Sequence, residues 1–331
     1  GSDAKLQAFH EKISRLKFLD PACGCGNFLV ITYRELRLLE LEILRILNKH
    51  GQVYLNINEI VLLDVDMMYG IELEEFPAQI AQVAMWLIDH QMNSLVSSEF
   101  GQYFARLPLR KSANIIQGNA LRIDWESVVP KGELSYIIGN PPFIGYKLQN
   151  ELQKQDLESV YKGYDNTGVL DYVAAWYFLA AKYIKNTNIK CAFVSTNSIT
   201  QGEQVSILWN ILINHYNIKI HFAHKTFKWG NEAKGNAAVH VVIIGFATFD
   251  SSQKLLYEYE DVKGEPHEVK VNRINPYLVD SDFIIIIKRT NPISNDIPPI
   301  NYGNEPREGG GLILSDQEKD KIVKENPGIE N

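Results

Sequence analysis

Apolar positions recur along this chain at two periods, and the places where one period gives way to the other predict its elements. Residues 5–19 follow helical spacing and end in a short strand-like run, LKFLD. After a glycine-bearing turn, NFLVITYRELRLLELEILRIL returns to helical spacing. INEIVLLDV reads as a strand and leads into MMYGIE. LEEFPAQIAQVAMWLIDHQM predicts a helix, with acidic residues and Pro77 in its first turns, where a missing N–H costs nothing. SANIIQG and LSYIIG are short apolar runs of the buried-strand type. DYVAAWYFLAAKYI predicts a helix, CAFVST a strand and QVSILWNILINHY a further helix, before IKIHFAH and AAVHVVIIGFATF close the series as strands. Strands alternating with helices imply an α/β fold with a doubly wound, parallel, Rossmann-like sheet. Only KTFKWGNEAKGN separates the last two strands, so they are expected to form an antiparallel closing hairpin.

After about residue 250 the character changes: Pro, Asn, Asp and Gly become frequent and helical periodicity fades. The expected organisation is one domain over residues 1–250 and, over 251–331, a linker with the truncated start of a second domain. VHVVIIGFATF and the FIIII run near residue 285 are too short to span a bilayer and rich in β-branched residues, so both read as buried strands. The opening Gly-Ser resembles a cloning scar, and the natural start is expected to be missing.

Composition narrows the chemistry. In 331 residues, 45% apolar and 22% charged are ordinary globular values. The net charge of -7 gives no bulk support for nucleic-acid binding, so any DNA-binding surface must be local or lie in another segment. Three cysteines, Cys23, Cys25 and Cys191, fit a reducing cytoplasm better than a disulfide framework. The C-x-C pair lacks a second ligand cluster, and no metal is expected.

In doubly wound sheets, ligands bind beyond the carboxyl ends of the strands. After the first strand comes DPACGCGNF, with Asp20, Ala22, Gly24, Gly26, Asn27 and Phe28. Glycines admit a ligand close to the backbone, and the following helix N-terminus favours a negative group. A dinucleotide fingerprint would need a third glycine where Leu29 stands, and Asp20 would repel a pyrophosphate. A ligand carrying both an ammonium and a carboxylate suits the loop better, such as the methionine head of S-adenosylmethionine. In YGIELEEF, Glu72 at a strand end is placed to accept both hydroxyls of a ribose, with Asp64 and Asp66 as competitors. In QGNALRIDW, Asn119 has the groups to hydrogen-bond an adenine edge, and Ala120 or Leu121 to pack on its face; an Asx turn is the plainer alternative.

The fourth strand end is GNPPF. Two prolines end the strand and stiffen the loop beyond it, fixing one amide and one aromatic ring. The side-chain oxygen of Asn140 and the backbone oxygen of Pro141 are suited to accept both protons of an exocyclic amine. Pro142 adds rigidity, and Phe143 offers a stacking face.

The ordered set FLDPACGCGNF, GIELEEF, GNALRIDW and GNPPF resembles the amino-methylating DNA methyltransferases, specifically the adenine-N6 enzymes of the gamma arrangement. The flanking segments HEKISRLKFLDPACGCGNFLV, FVSTNSITQGEQVSILW, FAHKTFKWGNEAKGNAAVHVVIIGF and INYGNEPREGGGLILS resemble, more narrowly, the methylase part of large fused restriction-modification enzymes. The resemblance runs from about residue 10 to residue 320. It implies a class I methyltransferase sheet, S-adenosylmethionine as cofactor and double-stranded DNA as partner, with the target adenine flipped out of the duplex. By position it implies that Asp20, Gly24, Gly26 and Asn27 line the methionine end, Glu72 the ribose, and Asn119 with Ala120 the cofactor adenine. Asn140, Pro141 and Phe143 would hold the target base, against which Phe227 would pack. Transfer would be a direct displacement needing no metal and no cysteine nucleophile. In this chain Asn119 stands where many relatives carry Asp and Cys25 where they carry Ser. The family's upstream cofactor motif is absent, and the chain is expected to be a fragment whose recognition domain is largely missing.

The long loop expected after Phe143, with its glycines, tyrosines and lysines, suggests a mobile lid or clamp. Lys219, Lys225, Lys228 and Lys234, interleaved with aromatics, suggest contacts to DNA, with a solvated face as the alternative. Two other functions fit parts of the pattern. One is protein-glutamine N5 methylation, which also presents an NH2 on an sp2 carbon; the other is a catalytically silent DNA-binding module.

Overall fold

The computed structural model describes residues 2–49, 57–104, 112–229, 239–287, 294, 296 and 315–325. Residues 1–287 form one compact unit and 288–331 a second. In the second, the regular structure described is one helix, Asp316–Glu325.

The first unit is built on a nine-stranded sheet in the order β3-β2-β1-β4-β5-β7-β6-β8-β9. Its strands are β1 (Phe18–Asp20), β2 (Met68–Glu72), β3 (Asn114–Gln117), β4 (Tyr136–Gly139), β5 (Lys190–Thr196), β6 (Lys219–Trp229), β7 (Val239–Ala247), β8 (Lys254–Glu258) and β9 (His267–Val271). β1 to β5 pair in parallel. β7 inserts antiparallel between β5 and β6, which is the expected closing hairpin. The hairpin tip, residues 230–238 with Lys234, lies outside the described residues. The sheet continues beyond residue 250, where β8 joins β6 in parallel and β9 pairs antiparallel with β8.

Both faces of the sheet are covered, so successive residues of the parallel strands feed different cores. Phe18, Met68 and Ile115 pack under α1 (Ser2–Ser14), α2 (Asn27–Lys49) and α3 (Glu75–Phe100). Leu19, Ile71, Ile137 and Phe193 pack on the other side with α4 (Glu151–Val160), α5 (Ala174–Tyr183) and α6 (Asn210–Tyr216). α6 continues a short helical turn, Gly202–Gln204, and a π-helical stretch, Val205–Trp209. The seam between α2 and α3 also holds buried charge. Arg37 donates to Asp89 at 2.9 Å and pairs with Glu40 at 3.1 Å, and His10 of α1 reaches Glu40 at 2.8 Å. Each member has partners, which is the condition under which buried charge is tolerated.

Three sequence expectations are corrected. INEIVLLDV is not a strand: Ile57–Ile60 is a helical turn, and Asp64 caps a 3-10 turn at Val65–Met67 by accepting from Val65 N at 2.8 Å. The strand is MYGIE alone. The segment after Phe143 is not one long loop, because α4 forms within it, closed by a capping box between Asn150 and Gln153. The FIIII run is neither buried nor a strand: Phe283, Ile284, Ile286 and Ile287 are exposed.

Candidate functional site

The carboxyl ends of β1, β2 and β4 meet at one place, and small residues let them do so. Asp20 ends β1 and is almost wholly buried, at 1% exposure. A Cβ on Gly139, the last residue of β4, would stand 2.7 Å from Asp20 Oδ1. Only glycine allows that approach. Asp20 Oδ1 also accepts from Ala22 N at 3.0 Å. Burial pushes the Asp20 carboxyl up to about 7; the Ala22 N–H works against this, and the charge of Glu72 adds to it.

The turn between β1 and α2 carries Gly24 at φ 54° and Gly26 at φ 85°, both in the left-handed region. Cys23 N donates to Ile71 O at 3.1 Å, and Trp176 Nε1 of α5 donates to Pro21 O at 3.0 Å, so the turn is anchored from both sides of β1. Glu72, the last residue of β2, braces it too. One of its carboxylate oxygens accepts from Gly24 N at 2.8 Å and the other from Glu74 N at 3.0 Å. Each oxygen keeps a lone pair for a further donor. Asn27 begins α2 and is exposed, Phe28 and Ala22 are half-buried, and Cys25 is exposed. Asp64 and Asp66 lie at the amino end of β2, the far side of the sheet from Glu72. Burial raises the Cys23 thiol far above its ordinary range, which keeps it a packed, neutral group.

After β3, Asn119 adopts the Asx turn: its Oδ1 accepts from Leu121 N at 2.9 Å. Its Nδ2 donates to Asp156 of α4 at 2.9 Å. Asp156 also accepts from Arg122 Nε at 2.6 Å and from Tyr172 OH at 3.0 Å. Ala120 is buried in the core, with its carbonyl taken by Trp125 Nε1 at 2.9 Å.

At the end of β4, Pro141 is buried, Pro142 exposed, and Phe143 packs half-buried on the core. Asn140 Oδ1 is buried and has no hydrogen-bond partner among the described residues. Such an oxygen costs roughly 1–3 kcal/mol and marks a place where a donor is expected.

Farther along the sheet, Phe227 of β6 pairs with Val241, which pairs with Thr196 at the carboxyl end of β5. It therefore stands at the same edge as Asn140. Its ring stacks on Tyr259 with centroids 5.1 Å apart, beside His224. Lys225 Nζ is paired with Glu258 at 2.5 Å. Lys228 is half-buried, and its backbone N–H donates to Val262 O at 2.8 Å. No three metal-ligating side chains converge, and no helix is long and apolar enough to cross a membrane, among the described residues.

The structure thus brings Asp20, the glycine turn, Glu72 and Asn140 to one crevice edge. Sequence reasoning missed residues that hold this edge together: Gly139, Asp156 and Trp176. Each reads locally as an ordinary turn, strand or helix residue, and only tertiary pairing gives it a role.

Comparison with known proteins gives the family. The family model described as the DNA-methyltransferase domain of MmeI matches residues 1–258. DNA methyltransferase A of Bacillus subtilis (strain 168) is 43% identical over 329 residues, covering 98% of this chain and 36% of that protein. A putative type II restriction enzyme and methyltransferase of Methanocaldococcus jannaschii is 29% identical over 82 residues, 25% of this chain and 7% of that protein. Among solved structures, the type IIL restriction-modification enzyme MmeI in complex with DNA matches with a TM-score of 0.91 and 55% identity, over 98% of this chain and 43% of that one. The chain therefore spans less than half the length of these relatives.

Proposed function

The chain belongs to the family of the MmeI DNA-methyltransferase domain, and from that premise we propose that it transfers a methyl group from S-adenosylmethionine to N6 of an adenine turned out of a DNA duplex. We take it as the methylase part of a restriction-modification or related phage-defence enzyme. The observation that carries the chemistry is the orphaned Oδ1 of Asn140 at the end of β4. A buried acceptor on a stiff N-P-P-F loop suits an amine with protons to donate, and an exocyclic N6 is one.

The other half of the crevice fits the cofactor. Asp20, a buried acid with no cation beside it among the described residues, suits an ammonium, and the two left-handed glycines leave backbone room for a methionine chain. Glu72 has acceptor capacity left for ribose hydroxyls. We assign Asn119 and Ala120 to the cofactor adenine on the family resemblance, although their polar groups already have internal partners. When bound, S-adenosylmethionine supplies an electrophilic methyl group on a sulfonium. Asn140 Oδ1 and the Pro141 carbonyl would accept hydrogen bonds from the two N6 protons, which raises electron density on that nitrogen and aims its lone pair, and the one proton that N6 sheds on methylation would pass to water. Phe143 stacks on the ring, and Phe227 covers it from β6. Because Gly139 touches Asp20, the two half-sites abut, as an in-line transfer requires. The residues beyond β9 we take as the approach to a target-recognition domain.

The test is incubation with N6-unmethylated bacterial DNA of mixed sequence and labelled cofactor, read by mass spectrometry of released nucleosides. N6-methyladenine from the wild type and none from Asn140→Ala, with calorimetric cofactor affinity lost in Asp20→Ala and Glu72→Ala, is the expected result. Methyl-glutamine in protein, with none in DNA, would replace this reading with the protein-methylating one. Cofactor binding with no transfer to either would leave a silent binding module.

A further inference from the structure

The N-P-P-F loop is rigid within itself, but prolines alone do not fix where a loop stands relative to the rest of the site. Residues 170–172, just before α5, supply that register. Tyr172 N donates to Ile144 O at 2.9 Å, and Gln149 Nε2 donates to Leu170 O at 3.0 Å. Between these two bonds lies Asp171, whose side chain is the third. Its Oδ1 accepts from Tyr146 N at 2.9 Å, three residues after Phe143. Its Oδ2 accepts from Ser198 Oγ at 2.5 Å, and Ser198 in turn meets Thr196 Oγ1, at the end of β5, at 2.9 Å. The backbone N–H of Asp171 donates to Gln204 Oε1 at 3.1 Å. Asp171 is 7% exposed, so these bonds face little competition from water.

We propose that Asp171 is the positioning residue for the target-base loop: its buried carboxylate ties Tyr146 N to Ser198 and so sets where Asn140 and Phe143 stand against the cofactor crevice. The assignment rests on the methyltransferase reading above. The side chain takes one backbone donor from the loop after β4 and one hydroxyl donor from just beyond β5. The next residue extends the tie. Tyr172 OH donates to Asp156, which also holds Asn119, so residues 171 and 172 join the target-base loop to the loop after β3. Asp171 touches neither substrate nor cofactor in this scheme and acts through the loop. Misplacement of reacting atoms by about 1 Å costs about 100-fold in rate, so a brace one step removed is worth testing.

The experiment uses the whole chain with Asp171→Ala, Asp171→Asn and Ser198→Ala. Hydrogen exchange of residues 143–149 is the first readout, because it needs no substrate. Asp171→Ala is expected to release protection at Tyr146 while β4, α5 and calorimetric S-adenosylmethionine affinity stay within about twofold of wild type. In Asp171→Asn, Oδ1 still accepts from Tyr146 and Nδ2 has a proton for Ser198 Oγ, so protection should be largely rescued. Ser198→Ala should lie between the two. Methyl transfer to unmethylated bacterial DNA is the second readout. There, kcat should fall about 10- to 100-fold in Asp171→Ala, and by about fivefold or less in Asp171→Asn, with KM for the cofactor unchanged. Unchanged loop exchange in Asp171→Ala overturns the proposal, whatever the protein methylates. Equal damage in Ala and Asn variants, accompanied by loss of cofactor affinity, also overturns it, since that is collapse and not positioning. Wild-type protein that holds the loop but methylates no DNA would instead defeat the functional reading.

Discussion

Burial holds the Asp20 carboxyl up to about 7 from its ordinary 3.8, and this has two consequences of opposite sign. In the absence of ligand, the folded chain keeps the Asp20 proton across the window from about pH 4 to pH 7 while the unfolded chain has released it. Stability therefore falls as pH rises through that window and levels off above it. Asp20→Asn should remove this component and melt higher than wild type above pH 7, which a thermal melt series across pH would read. A cationic ligand reverses the preference, because it needs the ionised acid. S-adenosylmethionine affinity should then strengthen roughly tenfold from pH 6 to pH 8, with proton release, and become weak and flat in Asp20→Asn. Calorimetry in two buffers of different ionisation enthalpy checks the proton count; a flat wild-type profile would remove Asp20 from the cofactor site. That Asp20 lies at a strand end beside a glycine turn was legible from DPACGCGNF. Its protonation was not, because the cause is burial by tertiary packing, to which segments as distant in sequence as Gly139 contribute.

At the scale of elements, the turn from β1 to α2 decides how close two helices come. Gly24 and Gly26 both hold positive φ, but their surroundings differ. Nothing lies within 4 Å of a Cβ added at Gly24, whereas one at Gly26 would stand 3.1 Å from Ala81 Cβ on α3. Alanine at 24 should cost about 1–2 kcal/mol, the strain of the left-handed region alone. Alanine at 26 should cost about 2–4 kcal/mol, since it also presses α2 away from α3. Denaturant unfolding of both variants separates the two terms, and equal losses would mean the contact yields freely. The spacing of apolar residues made β1, α2, α3, β4 and the β6–β7 hairpin readable, because each buries a face with a clear period. It failed where polar bonding outweighed apolar content, as at Asp64, which caps a turn inside an apolar run. It failed again at α4, a short helix whose capping box was the legible signal. The FIIII run shows the reverse: strong strand propensity that forms no strand and stays largely exposed.

For the molecule as a whole, a net charge of -7 opposes approach to DNA, so under the proposed function the positive charge that meets DNA is local or lies in another segment. Lys225 and Lys228 sit on β6 near Phe227 and look equivalent in sequence, but the structure separates them. The ammonium of Lys225 is paired with Glu258, while Lys228 forms no ion pair among the described residues. A lysine that already faces a carboxylate releases fewer counterions when a phosphate arrives. Lys228→Ala should therefore lower the slope of log affinity against log salt by about 1, measured with DNA of mixed sequence, while Lys225→Ala lowers it by about half as much or less. Glu258→Gln should act in the other direction, freeing Lys225, steepening the slope and tightening binding at low salt. Both pair partners are partly exposed, so the pair itself contributes little to stability and all three variants should melt within a few degrees of wild type. Equal slope losses at the two lysines, with no effect from Glu258→Gln, would mean that the pair opens on binding and both ammonium groups reach the backbone.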